Sequence, residues 1–133
     1  MKKYFIDSSF LIALVLDKDT NKEKAIELSK MLSEDCYISD NIINEVVTVV
    51  NLKGNYTQAI TMYHFMIDNF KIIREHEIIN YNEKTVHVFE KFKGKLSFTD
   101  SAIIVTMLEY GIENLISFDK QFGREKKINV IGI

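Results

Sequence analysis

The 133-residue chain contains no proline and a single cysteine, Cys36. One cysteine cannot close an internal disulfide, and no CxxC or histidine spacing around Cys36 offers a zinc site. The residue reads as a small buried hydrophobe in a protein of the reducing cytoplasm. Long apolar runs are missing as well. No segment approaches the roughly 20 apolar residues that span a bilayer, and Met1-Lys2-Lys3-Tyr4-Phe5-Ile6-Asp7 meets an acid too early for a signal peptide. A soluble, unprocessed protein with no membrane partner is the expectation. Charge of one sign is scarce too: 17 Lys and Arg stand against 19 Asp and Glu, a net of −2. No overall field draws the chain to nucleic acid, so a polyanion would be held by local cations or by bound metal. There is no low-complexity tract and no internal repeat. At 47% hydrophobic residues the chain has material for one core, and it reads as a single domain over 1–133.

What is present is a close succession of short apolar segments. Lys3 to Ile6 reads as a buried strand, and Phe10, Leu11, Ala13, Leu14 and Leu16 begin a helix right after Asp7-Ser8-Ser9. Lys22 to Ser33 has helical spacing, Cys36-Tyr37-Ile38 is a second strand, and Asp40 to Lys53 is a helix stopped by Gly54. Thr57 to Asn69 is a helix with Ile60, Tyr63, His64 and Ile67 on one side, and Lys71 to Arg74 a strand. Glu83 to Phe92 and Thr99 to Tyr110 read as helices, the second closed by Gly111, and Leu115 to Ser117 and Asn129 to Ile131 as strands. Short strands alternating with helices predict an α/β fold with a parallel sheet covered on both faces.

Four acids stand out against this pattern. Asp7 follows the first strand directly and Asp119 comes two residues after Leu115-Ile116-Ser117. Open parallel sheets bind ligands beyond the carboxyl ends of their strands, so both acids are expected on one rim. Each also has an ordinary reading, Asp7 as a helix N-cap worth about 1 kcal/mol and Asp119 as the start of an Asx turn over Lys120-Gln121-Phe122. At about 100° per residue, Val49 and Ile42 fall to one side of Glu45 and Leu52 to the other, which puts Glu45 inside the buried arc of its helix. An ionised carboxylate there is costly without a partner. Asp100 heads a helix that is apolar nearly all round, between Met107 and Ile104. Ser97-Phe98-Thr99-Asp100 also matches a capping box, and the helix dipole favours an acid at that end. Four carboxylates from distant parts of one chain make a poor general acid/base pair but a good oxygen cage for Mg²⁺ or Mn²⁺. The chemistry this points to is phosphodiester hydrolysis.

Four strings carry a resemblance: Phe5-Ile6-Asp7-Ser8-Ser9; Ile38-Ser39-Asp40-Asn41 leading to Asn44-Glu45-Val46; Leu96-Ser97-Phe98-Thr99-Asp100-Ser101-Ala102; and Ile116-Ser117-Phe118-Asp119-Lys120-Gln121-Phe122. In order and spacing, from end to end of the chain, they resemble the PIN domain family, the small nuclease fold of many bacterial and archaeal VapC-type toxin ribonucleases. The resemblance implies a PIN-like three-layer sandwich, a short parallel sheet of about five strands flanked by helices. It implies that Asp7, Glu45, Asp100 and Asp119 are catalytic and bind one or two Mg²⁺ or Mn²⁺ ions, with hydroxyls from Ser8 and Ser117 nearby. Some members carry a further acid one turn after the third, where this chain has Ile104, which leaves the number of ions open. The implied partners are an RNA substrate, an antitoxin protein and a second copy of the chain.

The expected activity is that of a metal-dependent endoribonuclease, the toxin of a toxin–antitoxin pair. A PIN-like module that only binds RNA or protein is the nearest rival, and the complete acidic quartet argues against it. A housekeeping RNA-processing nuclease is not separable by sequence. A receiver or haloacid dehalogenase-like phosphatase needs an acidic pair or Asp-x-Asp after the first strand, and Asp7-Ser8-Ser9-Phe10 supplies neither. Lys91, Lys93, Lys95, Lys120, Arg124, Lys126 and Lys127 lie on segments next to Asp100 and Asp119 and are candidates to hold phosphates. His64 and His87 read as half-buried and His76 as exposed. Tyr56, Met62, Phe65 and Met66 offer a dimer surface, which core packing explains equally well.

Overall fold

The computed structural model describes residues 2–32 and 35–133. Five short strands, β1 (Tyr4–Ile6), β2 (Cys36–Ser39), β3 (Lys71–Ile73), β4 (Asn114–Ile116) and β5 (Asn129–Ile131), form one sheet in the order β3-β2-β1-β4-β5. Every pairing is parallel. Such a sheet has to be covered on both faces, and Phe5, Ile6, Ile38, Leu115 and Ile116 are buried, as is Cys36. The covering helices are α1 (Ser8–Val15), α2 (Lys22–Ser29), α3 (Asp40–Lys53), α4 (Tyr56–Asn69), α5 (Tyr81–Lys91) and α6 (Phe98–Glu109). Short 3₁₀-helices stand at Glu75–Glu77 and Lys120–Arg124.

The chain builds outward from β1 through β2 to β3, then returns to lay β4 on the other side of β1. Right-handed crossovers on these two paths put their helices on opposite faces. Accordingly α1 packs on α2 and α3, α3 packs on α4, and α5 pairs with α6. The three-layer architecture matches the expectation. The strand order reverses between β1 and β4, and their register ends both together, Ile6 opposite Ile116. The ladder continues one step further, the N–H of Asp7 donating to the carbonyl of Ile116 at 3.0 Å. α6 pairs with α5, and every residue from Ser101 to Met107 is buried.

Two sequence expectations need correction here. α2 ends at Ser29, short of the expected Ser33, because Lys30 and Met31 turn the chain toward β2; Ser33 itself lies outside the described residues. On α4 Ile60, Tyr63, His64 and Ile67 share one side, as the spacing predicts, and that side faces solvent; of the residues offered as a dimer surface or core, Met62 and Met66 join Ala59 in the core and Tyr56 and Phe65 are exposed. That helix is apolar on two sides, and the side with the small Ala59 and the adaptable methionines is the one that packs against α3. His64 and His87 are exposed, as His76 is, so neither of the first two is half-buried. Among the described residues no helix is long and apolar enough to cross a membrane.

Candidate active site

Asp7 occupies the N-cap position of α1, yet its side chain makes no capping hydrogen bond. Its Oδ2 instead accepts two hydroxyls, Ser9 Oγ at 2.7 Å and Ser117 Oγ at 2.7 Å. The carboxylate is buried at 5% exposure, and burial is the main cause that raises its pKa. The two serine hydroxyls oppose the shift and the nearby charge of Glu45 adds to it. The same serines organise the loop after β4. Ser9 Oγ accepts the N–H of Phe118 at 3.1 Å, and Ser117 Oγ accepts the N–H of Asp119 at 3.0 Å. Behind Ser117 runs Gly132, at φ 118°, where an added Cβ would stand 2.5 Å from the Ser117 carbonyl oxygen. Only glycine fits both that conformation and that approach. The hydroxyl lattice thus ties the end of β1 and the first turn of α1 to the segment that carries Asp119.

Glu45 is fastened by Ser8, whose Oγ donates to Glu45 Oε2. Its carboxylate lies at the margin of α3, half-buried and not inside the buried arc as expected. Val46, Ile42 and Val50 form the packed face, whereas Leu52 is 76% exposed and does not extend it. Asp100 stands in the first turn of α6, its N–H donating to Ser97 Oγ at 2.9 Å, so the serine half of the expected capping box is formed. The Asp100 carboxyl meets Asp119. Its pKa is pushed up to about 7, first by burial, then by the charges of Asp119 and Asp7 and by a hydrogen bond shared with Asp119, with Ser97 opposing. Asp119 Oδ1 accepts the N–H of Gln121 at 2.9 Å, the Asx turn read from the sequence.

The fold therefore brings Asp100 within electrostatic reach of both Asp119 and Asp7, with Glu45 acting on Asp7. None of the four forms an ion pair with a cationic side chain among the described residues. As the side chains stand, no three His, Cys, Asp or Glu among the described residues are grouped closely enough to hold a metal ion. The donor set still suits a hard divalent cation in chemistry and charge: carboxylate and hydroxyl oxygens, excess negative charge, and a carboxyl whose pKa burial and like charges raise. Ser8 and Ser117 both touch the acids, as expected. Ser9 was not singled out from the sequence; its signal is the hydroxyl two residues after an acid that ends a strand.

The PIN domain model matches residues 4–127, a span that contains all four acids. No curated protein matches the sequence. Among solved structures the chain is similar to VapC20 of Mycobacterium tuberculosis, described as a sarcin-ricin loop cleaving toxin, with a TM-score of 0.81 at 19% identity over 92% of this chain and 94% of that one. A toxin–antitoxin complex from Klebsiella pneumoniae is similar with a TM-score of 0.72 at 19% identity, covering 96% of each chain. VapBC2 from Rickettsia felis, bound to a DNA fragment from its promoter, is similar with a TM-score of 0.70 at 14% identity, again over 96% of each chain. At such identities these likenesses are likenesses of fold. The family match covers nearly the whole sequence and agrees with the sheet order and the acidic rim: the chain belongs to the PIN domain family.

Proposed function

We propose that this protein is a metal-dependent endoribonuclease, the toxin of a toxin–antitoxin pair, acting in the cytoplasm through a single domain over residues 1–133. The observation that carries the reading is the meeting of the Asp100 carboxyl with Asp119, with Asp7 in electrostatic reach and no ion pair to a cation among the described residues. Like charges at a partly buried site are unfavourable by themselves, and a divalent cation offsets them. Asp7, Glu45, Asp100 and Asp119 would hold one or two Mg²⁺ or Mn²⁺ ions. When bound, such an ion supplies a Lewis acid that lowers the pKa of a water and stabilises the leaving oxygen of a phosphodiester. Ser9 and Ser117 orient Asp7 through its Oδ2, and Ser8 orients Glu45. Ser97 fixes the first turn of α6 and with it the origin of the Asp100 side chain. No nucleophilic side chain is needed, because water attacks and the protein's part is positioning.

Membership of the PIN domain family supports nuclease chemistry, and the similarity in fold to proteins solved as toxin–antitoxin complexes supports an antitoxin partner. The exposed stripe of Ile60, Tyr63 and Ile67, with Tyr56 and Leu52 beside it, offers apolar surface for that partner or for a homodimer. The test is cleavage of a labelled structured RNA with Mn²⁺ or Mg²⁺, with EDTA, and with Asp100→Asn. Cleavage that requires both metal and Asp100 is the expected result. No cleavage, together with no rise in melting temperature on adding metal, would leave a binding module as the better reading.

A further inference from the structure

We propose that the groove beside Asp119, lined by Phe92, Lys120, Gln121, Gly123, Arg124 and Lys126, seats the phosphates of the RNA strand on one side of the scissile bond. This rests on the ribonuclease reading above and assigns the substrate contact that the reading lacks.

The fold separates the seven cations that the sequence offered as phosphate ligands. Lys91 is spent internally: its Nζ lies 3.5 Å from the buried Glu125 and over the ring of Phe92. Lys127 lines a different cavity, between α5 and α6, whose walls also carry Glu83, Glu109 and Glu125. There cations and acids match, Lys84 pairing with Glu109. Lys93 and Lys95 sit in the exposed loop before α6 and line neither cavity. Lys120, Arg124 and Lys126 remain, and these line one open groove of about 680 Å³ whose wall contains no carboxylate.

Their charge is uncompensated but their positions are set. Arg124 Nε donates to Gln121 Oε1 at 2.7 Å and Lys126 Nζ donates to the Gly123 carbonyl at 3.0 Å. Both partners are neutral, so each cation keeps its full charge while its head group is held over the groove. None of the three forms an ion pair among the described residues. The 3₁₀-helix that carries Lys120 and Arg124 is opened by Asp119, through the Gln121 N–H. The groove therefore begins one residue from a proposed catalytic carboxylate. In a chain of net charge −2, an acid-free basic groove bordering an acidic rim gives a polyanion a single register: phosphates on the cations, scissile group at the acids.

The experiment is the affinity of a fluorescein-labelled single-stranded RNA across a KCl series, with Ca²⁺ replacing Mg²⁺ so that binding is read without turnover. Wild type is compared with Lys120→Gln/Arg124→Gln/Lys126→Gln and with Lys2→Gln/Lys3→Gln, whose lysines line a surface at the opposite end of the strands. All three groove residues are exposed, and an unchanged melting temperature verifies the fold. The expected result is a Kd raised at least about 30-fold at low salt. The slope of log K against log salt should shrink by roughly 2, near 0.7 for each phosphate that is no longer neutralised. The Lys2/Lys3 variant keeps the wild-type slope, and with Mn²⁺ the triple variant raises KM while kcat stays within about threefold. A triple variant that binds with wild-type affinity and slope overturns the groove alone. A wild type with no salt-dependent RNA affinity overturns the ribonuclease reading, and the groove with it.

Discussion

Asp7 and Glu75 are both buried carboxylates placed just past the carboxyl end of a strand, Asp7 after β1 and Glu75 after β3. Both have pKa values raised chiefly by burial. Their surroundings differ. Glu75 accepts the N–H of Asn41 at 3.1 Å and a hydrogen bond from Ser39, so it closes the first turn of α3. His76 lowers its pKa, and its acidic neighbour Asp40 lies 3.8 Å from Arg74. Asp7 has the hydroxyls of Ser9 and Ser117 and the backbone of Ser8, and the charge acting on it is that of another acid, Glu45. Burial by itself does not mark a functional acid, since a carboxylate that caps a helix is buried for the sake of the fold. The distinguishing property is like-charged company without a cation.

Substitution can test that distinction. The largest effect is expected on chemistry. Asp7→Asn and Asp100→Asn should each lower the metal-dependent cleavage rate by about 10³-fold or more, on the order of 4 kcal/mol of barrier, while Glu75→Gln stays within about threefold. Equal losses in all three would erase the contrast. Next comes stability. Glu75→Ala leaves the Asn41 N–H unsatisfied and should cost about 1–3 kcal/mol in a urea melt, with cleavage by the folded fraction retained. Asp100→Asn should do the opposite without metal, stabilising the fold by roughly 1–2 kcal/mol once solvent screening of a half-exposed group is allowed for.

The pH dependence sharpens this. Asp100 titrates near 7 in the folded protein against 3.8 for the ordinary carboxyl. Between those values the folded state holds a proton that the unfolded state has lost, so stability without metal should fall as pH rises from about 4 to 7 and level off above. Asp100→Asn should remove most of that slope in a series of melts, and Mg²⁺ should raise the wild-type melting temperature more at pH 8 than at pH 6. The smallest effect belongs to Ser97→Ala, which removes the N-cap of α6 and should cost about 1 kcal/mol.

The elements were legible where local chemistry decides them. α3 runs from Asp40 to Lys53 as read, because it begins directly after a strand and Gly54 stops it. β5 also agrees. α2 was overextended because Met31 and Leu32 continue the apolar spacing, and only the path back to β2 ends it. The packed side of α4 stays open in the sequence because a helix apolar on two sides carries no local mark of which one meets the core. The acids were legible as positions: strand end, helix head, loop after a strand. What joins them was not. The Ser117–Asp7 and Phe118–Ser9 hydrogen bonds link residues more than 100 positions apart, and nothing local in Asp7-Ser8-Ser9 says which partner each hydroxyl takes. Glu75 was invisible for the converse reason. Within Arg74-Glu75-His76-Glu77 it looks like one more solvated charge, and only the arrival of α3 buries it.

The central strand is made first and gains its second neighbour late. β1 is synthesised before every other strand, yet one of its two neighbours in the sheet is β4, whose carboxyl end leads to Asp119. At 5–20 residues per second, the 112 positions between Asp7 and Asp119 take roughly 6–22 s to translate. Through that interval the growing chain gains Glu45 and then Asp100 but lacks Asp119. On the ribonuclease reading, the acidic rim is therefore incomplete on the ribosome until Asp119 has been made and β4 lies beside β1.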